Sequence, residues 1–258
     1  MISIVIPAYN EEKRIGRTLE NYCSFFKKLK QKKEIKDFEL IIVINGTKDK
    51  TEEVIKDYQK KYSEIKYLRF DRGGKGFAII EGFKVALWGK GDLIGFVDAD
   101  MATPPEAFYE LVKRIDGYEG IIADRWNKGS IITPKQSPFR RFISRAYNFI
   151  VRMLFLFPYR DTQCGAKLFK RKILEKNIFK LRTYRWGFDI ALLYCLKKES
   201  KARIKSIPTL WHDEKGSTVN LKVTPIMMFL SAIKLRLVHS PFKFIVRLYK
   251  KFSKEQFK

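Results

Sequence analysis

Cysteine, histidine and acidic residues are all scarce in this chain. Its three cysteines, Cys23, Cys164 and Cys195, are odd in number and make no CxxC pair, so neither a disulfide framework nor a structural zinc site is expected. No stretch reaches the ~18 uninterrupted apolar residues of a membrane-spanning helix, which leaves only peripheral membrane contact. The N-terminal MISIVIPAYNEE lacks a basic leader followed by a long apolar stretch and reads as a first strand rather than a signal peptide. Internal repeats and flexible linkers are likewise missing. Against 28 acidic residues stand 53 Lys and Arg, a formal net charge of +25. That excess is far beyond what solubility needs and implies a polyanionic partner, nucleic acid or an anionic membrane. What the chain does have is 258 residues, 45% of them hydrophobic, enough for a substantial α/β core and too many for a disordered chain.

The apolar pattern alternates between two periods. Ile2 to Ile6 is a β-branched run closed by Pro7, and residues 11–32 place Ile15, Leu19, Tyr22, Cys23, Phe26 and Leu29 at helical spacing. FELIIVINGT (38–47) predicts a buried strand, 50–62 a helix, 65–70 a short strand, 73–87 a glycine-opened helix and 93–97 another strand. Strands alternating with helices predict a mostly parallel, doubly wound sheet, in which ligands bind beyond the carboxyl ends of the strands. PAYNEE, INGTKD and VDADMAT each follow such an end and are expected to converge on one crevice. Beyond residue 105 the spacing predicts helices at 105–116, 139–156 and 186–199 and a strand near 119–123, with a basic stretch from Arg125 to Arg145. Residues 222–258 interleave apolar and cationic side chains with almost no acid, the pattern of interfacial helices.

The strand at 93–97 ends in Asp98-Ala99-Asp100. Acids often simply stop strands, but two carboxylates just past a strand end also suit Mg2+ or Mn2+, with a pyrophosphate supplying further oxygens. Gly73-Gly74-Lys75-Gly76 reads either as a basic turn into a helix or as a loop passing close to an anion. Arg side chains in the basic stretch suit phosphate oxygens bidentately. Cys164, with no histidine nearby in sequence, reads as a packed small residue. His212 reads as loop support or as a metal neighbour, and His239, beside Pro241, as structural.

Taken in order, IVIPAYNEE, GGKGFAIIEG, FVDAD, RDTQCGAKLF, RWGFDIALLY and the GS of WHDEKGST resemble the family 2 glycosyltransferases of the GT-A fold, from residue 2 to about 236. Within that family DTQCG-x-KLF, RW-x-FD-x-x-LLY and DADMAT resemble the branch acting on polyprenyl phosphates, including dolichyl-phosphate glucosyltransferases. The resemblance implies a Rossmann-like, mostly parallel central sheet flanked by helices, with C-terminal amphipathic helices. It implies a catalytic domain at 1–217, with a nucleotide-sugar half (1–100) and an acceptor half (101–217), followed by a cationic membrane-associating tail at 218–258. Pro7, Ala8, Tyr9, Glu11, Asn45, Lys75, Asp98, Ala99 and Asp100 would meet the nucleotide sugar, and Asp98 and Asp100 the metal. Where the family usually carries two aspartates in the second strand-end loop, this chain has Ile44 and Asn45, a departure at the position that would read the base. Arg125, Arg140, Arg141, Ser144 and Lys167 would meet the acceptor phosphate, while Arg145 and Arg152 read as solvated charges. Asp189 is the first candidate for the catalytic base and Asp161 the second, either of which would orient or stabilise more than deprotonate because a phosphate acceptor is already ionised. Gly216 and Ser217 would belong to a loop over the donor.

The implied activity is inverting transfer of a hexose, glucose first among candidates, from a nucleotide diphosphate to a polyprenyl phosphate at the cytoplasmic face of a membrane. Two alternatives remain at this stage: a soluble glycan or protein acceptor, and a basic nucleic-acid-binding protein. The latter is disfavoured because no RNP, KH or helix-turn-helix signature appears.

Overall fold

The β-branched run that begins the chain becomes β1 (Ile2–Ala8), buried almost throughout, as a strand covered on both faces must be. In the computed structural model, which describes residues 1–135, 137–181, 187–213 and 224–240, β1 pairs in parallel with β2 (Phe38–Asn45) and with β4 (Leu93–Phe96). Strand β3 (Ile65–Phe70) extends the sheet beyond β2. The crossovers α1 (Ile15–Gln31), α2 (Thr51–Lys61) and α3 (Lys75–Trp88) return the chain each time to the same end. All four strands therefore deliver their following loops to one edge.

The second half departs from simple alternation. The full order is β3-β2-β1-β4-β7-β5-β8, where β5 is Gly120–Asp124, β7 is Lys167–Lys170 and β8 is Ile204–Pro208. Strand β7 runs antiparallel between β4 and β5, with Lys167 opposite Phe96. That reversal brings the start of β7, and DTQCG before it, to the edge where β4 ends in Asp98-Ala99-Asp100. Two short strands, β6 (Ile131–Thr133) and β9 (Leu210–His212), pair in parallel beside it. The remaining α-helices among the described residues are α4 (Pro105–Lys113), α5 (Pro138–Phe155), α6 (Arg171–Glu175), α7 (Phe188–Tyr194) and α8 (Thr224–Val238).

The two sheet faces bury different sets. Ile4, Ile6, Leu40 and Ile42 pack with Leu19, Tyr22 and Phe26 of α1 and Phe108 of α4; Val5, Ile41 and Val43 pack with Ile79 and Phe83 of α3 and with Leu192 of α7. Each large apolar side chain so buried contributes roughly 1.5–3 kcal/mol. On the α3 side the approach is close enough that a Cβ on Gly82 would lie 2.3 Å from Val5 Cγ1. A third cluster joins α5 (Tyr147, Val151, Phe155) to α7 (Ile190, Leu193) and to Ala232 and Leu235 of α8. Part of the expected tail thus packs on the catalytic body through one face of α8. Residues 241–258 lie outside the described residues, as do Arg185, Trp186, Gly216 and Ser217. Among the described residues, no helix is long and apolar enough to cross a membrane.

Candidate active site

The Asp98-Ala99-Asp100 loop and the residues after it are held from several sides by hydrogen bonds to their backbone carbonyls. Thr18 Oγ1 of α1 donates to Ala99 O at 2.6 Å, Tyr22 OH donates to Thr103 O at 2.8 Å, and His212 N of β9 donates to Ala102 O at 2.8 Å. Ala102 N in turn donates to Asp100 Oδ1 at 3.0 Å. Burial and the neighbouring Asp98 charge push the Asp100 carboxyl upward. Glu11 is also raised, by burial foremost, although Arg14 grips it through two 2.7 Å bonds, and it feels both aspartates. A concentration of carboxylate charge that raises two of its own members is a donor set that a divalent cation relieves. Space beside it is kept open by Gly165, since a Cβ there would lie 1.9 Å from Asp98 Oδ2. The residues present therefore fit a divalent ion. Among the described residues no three His, Cys, Asp or Glu side chains close a complete cage, so the remaining ligands would come from elsewhere, as a nucleotide diphosphate provides.

Lys75, at the start of α3, forms an ion pair with Asp98. Its surroundings pull the ammonium down, but the charges of Asp98 and Asp189 outweigh them and hold it above the ordinary lysine range. Asp189, on the first turn of α7, is bonded at Oδ1 by Lys167 Nζ at 2.5 Å. The Lys167 ammonium also donates to Cys164 O at 2.7 Å and lies 5.2 Å from the centre of the Phe96 ring.

On the expected nucleotide side, Tyr9 is 55% exposed at the mouth of the crevice, and Ala8 and Pro7 end β1 beneath it. Asn10 and Thr47 link the PAYNEE and INGT loops, with Asn10 N donating to Thr47 Oγ1 at 3.3 Å and Lys48 N to Asn10 Oδ1 at 2.9 Å. Asn45 is placed differently from the expectation of a base reader. Its side chain is buried, and in the amide orientation that satisfies both ends Nδ2 donates to Ala8 O (3.0 Å) and Oδ1 accepts from Gly74 N (3.0 Å). Asn45 thereby ties the end of β1 to the glycine loop.

Beyond β5 a cavity of about 270 Å³ is lined by Arg125, Trp126, Asn127, Ser130, Ile132, Lys135, Arg141 and Arg145. Arg125 is fixed by Asp161 through Nε (2.6 Å) and Nη2 (3.0 Å) and lies over the Trp211 ring at 4.8 Å; Arg145 lies over Trp126 at 5.0 Å. Asn148 of α5 accepts from Thr162 N and Oγ1, fastening the DTQCG segment to the helix that carries Arg141 and Arg145. Four cations around one cavity suit an anion.

The structure brings Arg125 and Arg141 together as expected but redistributes the rest of the acceptor set. Arg140 turns to Asp213 at 2.9 Å, and Ser144 is absent from the cavity lining. Lys167 is fully buried against Asp189, so it is not a surface phosphate contact. Asp161 is fully buried and accepts from Arg125 N, Nε and Nη2 and from Gln163 N; burial raises its carboxyl, yet Arg125 wins and holds it below the usual range. That is an anchor for Arg125 rather than a base. Arg145, read from sequence as a solvated charge, lines the cavity, as does Lys135. The signal that finds Arg145 is its spacing: four residues after Arg141, it shares a helix face with it. Cys164 is a packed residue whose thiol burial pushes up to about 12.

Comparison with known proteins places these features. Glycosyl transferase family 2 matches residues 3–178. A protein of Trichomonas vaginalis named dolichyl-phosphate beta-glucosyltransferase ALG5A is 31% identical over 92% of this chain and 73% of its own length. The dolichyl-phosphate beta-glucosyltransferase of Homo sapiens is 30% identical over 84% and 68%. Among solved structures, glucosyl-3-phosphoglycerate synthase from Mycobacterium tuberculosis, in complex with Mn2+, UDP and phosphoglyceric acid, superposes with a TM-score of 0.65 at 15% identity, over 92% of this chain and 78% of that one. The fold is thus the GT-A fold, and the chain belongs to glycosyl transferase family 2.

Proposed function

We propose that this enzyme transfers glucose from UDP-glucose to a dolichyl-type polyprenyl phosphate with inversion, giving a β-linked lipid-phosphate sugar. The observation that carries the reading is the four-cation cavity of Arg125, Lys135, Arg141 and Arg145 on the same sheet edge as Asp98 and Asp100. An anionic acceptor headgroup has a place to sit next to a site suited to a metal-bound diphosphate. The names of the relatives at about 30% identity support the same acceptor, and the UDP in the structural neighbour supports the donor.

Asp98 and Asp100 would hold a divalent cation, which supplies charge neutralisation for the diphosphate leaving group. Tyr9 offers an exposed ring to the base, Asn45 fixes the loop beneath it, and Lys75 offers a second positive charge at the diphosphate. The acceptor phosphate, ionised at neutral pH, attacks the anomeric carbon as the bond from that carbon to the UDP oxygen breaks, so no strong base is needed. Arg125, Arg141 and Arg145 hold the attacking phosphate in line, and Asp189 orients the reacting groups.

We place the enzyme on a membrane surface, at the cytoplasmic face. Phe139, Phe142, Phe149 and Met153 along α5, with Leu156 just past its end, are 60–71% exposed, and Ile226 and Leu230 of α8 are exposed beside the α5–α8 contact. Such an apolar surface on a strongly basic chain suits an anionic bilayer. The three cysteines are free and buried, which fits a reducing compartment. The test is the Arg141→Ala/Arg145→Ala variant assayed against polyprenyl phosphate. The reading expects at least ~10-fold higher KM for the lipid with UDP affinity unchanged; an unchanged lipid KM overturns the acceptor assignment.

A further inference from the structure

Lys167 is fully buried, and a buried ammonium is costly unless it is paired. Here it has two fixed partners: Cys164 O at 2.7 Å and Asp189 Oδ1 at 2.5 Å. The lysine is anchored independently of Asp189, because β7 is locked antiparallel between β4 and β5 and the Phe96 ring covers the ammonium. Asp189 sits in the first turn of α7, a helix of only seven residues. Its position is therefore set from the sheet side.

Asp189 also lies at a junction. Its charge reaches Lys75 on α3, which pairs with Asp98, and Tyr147 on α5, whose hydroxyl is buried without a hydrogen-bond partner. One carboxylate is thus felt both by the Lys75–Asp98 pair at the donor loop and by the helix that carries Arg141 and Arg145.

We propose that Lys167 is the positioning residue for Asp189: it holds one carboxylate oxygen in place, so that Asp189 acts as a fixed negative charge and hydrogen-bond acceptor. This rests on the reading of Asp189 as a residue of the reaction centre. An ionised phosphate acceptor has no proton that must be removed. Fixing the charge matters more than its basicity, because misplacement of a reacting group by about 1 Å costs on the order of 100-fold.

The groups facing Asp189 are Lys167 from β7, Lys75 from α3 and Tyr147 from α5. Replacing Lys167 by Met keeps the volume close and removes the dominant cation. The Asp189 carboxylate then loses the bond that fixes its Oδ1. The experiment compares Lys167→Met, Asp189→Asn and the double variant for kcat, KM and thermal stability. Expected are a kcat loss of about 100-fold for Lys167→Met and unchanged KM for UDP-glucose. The double variant regains stability, because it no longer buries an unpaired charge, but not activity. If Asp189→Asn is inactive while Lys167→Met keeps its kcat or changes only KM, the positioning role is overturned and the reading of Asp189 stands. If Asp189→Asn retains full activity, that reading fails first, and the inference with it.

Discussion

Gly165 and Asp98 face each other so closely that a methyl group on the first would lie 1.9 Å from a carboxylate oxygen of the second. The reversal of β7 creates this contact, because it lays DTQCG against the end of β4. Gly165→Ala therefore displaces Asp98 from its place beside Lys75 and Asp100. The expected result is a loss of about 100-fold in kcat and weaker Mn2+ binding, with circular dichroism unchanged. Near wild-type turnover would show that Asp98 tolerates relocation and is not a metal ligand.

Asn45→Asp tests a different kind of support. The wild-type amide donates to Ala8 O and accepts from Gly74 N, and a carboxylate makes only the second bond while facing Ala8 O with its own charge. The cost of a lost buried donor is about 1–3 kcal/mol. The variant is expected to melt earlier and to bind UDP and GDP more weakly in equal proportion. A changed ranking of the two nucleotides would restore Asn45 as a base reader.

Much of this was legible in the sequence. The first hundred residues follow a period-two, period-three-and-a-half alternation that fixes β1 to β4 and their crossovers, and the loops that carry Tyr9, Asn45 and Asp98 follow directly from it. The second half was less legible for physical reasons. Strand β7 is four residues, KLFK, too short to show a period, and its antiparallel insertion is decided by pairing with Phe96 and Ile122 from distant segments. Lys167 and Asp161 look like surface-capable charges when read locally. Only the fold shows that each is enclosed with a side chain of opposite charge, Asp189 for Lys167 and Arg125 for Asp161.

The Arg125–Asp161 pair sets a stability expectation. The folded carboxyl of Asp161 lies below its usual value, so the stabilisation it brings is present above the unfolded pKa of about 3.9 and is lost as pH falls through the folded value. Asp161→Ala leaves Arg125 buried without its partner and is expected to destabilise by about 3–5 kcal/mol at pH 7, roughly 10 °C in melting temperature. The difference from wild type should shrink in acid below about pH 4. A melting temperature unaffected at pH 7 would mean that the pair contributes little.

The α5 stripe predicts separation of membrane binding from folding. Phe142→Ser, Phe149→Ser and Met153→Ser combined alter side chains that are 71%, 60% and 63% exposed, so each should change stability by no more than about 0.5 kcal/mol. Co-sedimentation with vesicles containing anionic lipid should drop, along with activity on long-chain acceptors, while UDP binding persists. Retained vesicle binding would move the membrane contact elsewhere, to the residues after 240.

The central claim is glucose transfer to a lipid phosphate at the Asp98–Asp100 site. Its most direct measurement is incorporation of radiolabelled glucose from UDP-glucose into solvent-extractable lipid by purified protein with Mn2+ and dolichyl phosphate, run beside Asp98→Asn and with dolichol as the control acceptor. The account predicts labelled, β-linked lipid product from the phosphate only, and none from the variant. Label on dolichol or on a soluble glycan in place of dolichyl phosphate, or undiminished product from Asp98→Asn, would contradict it.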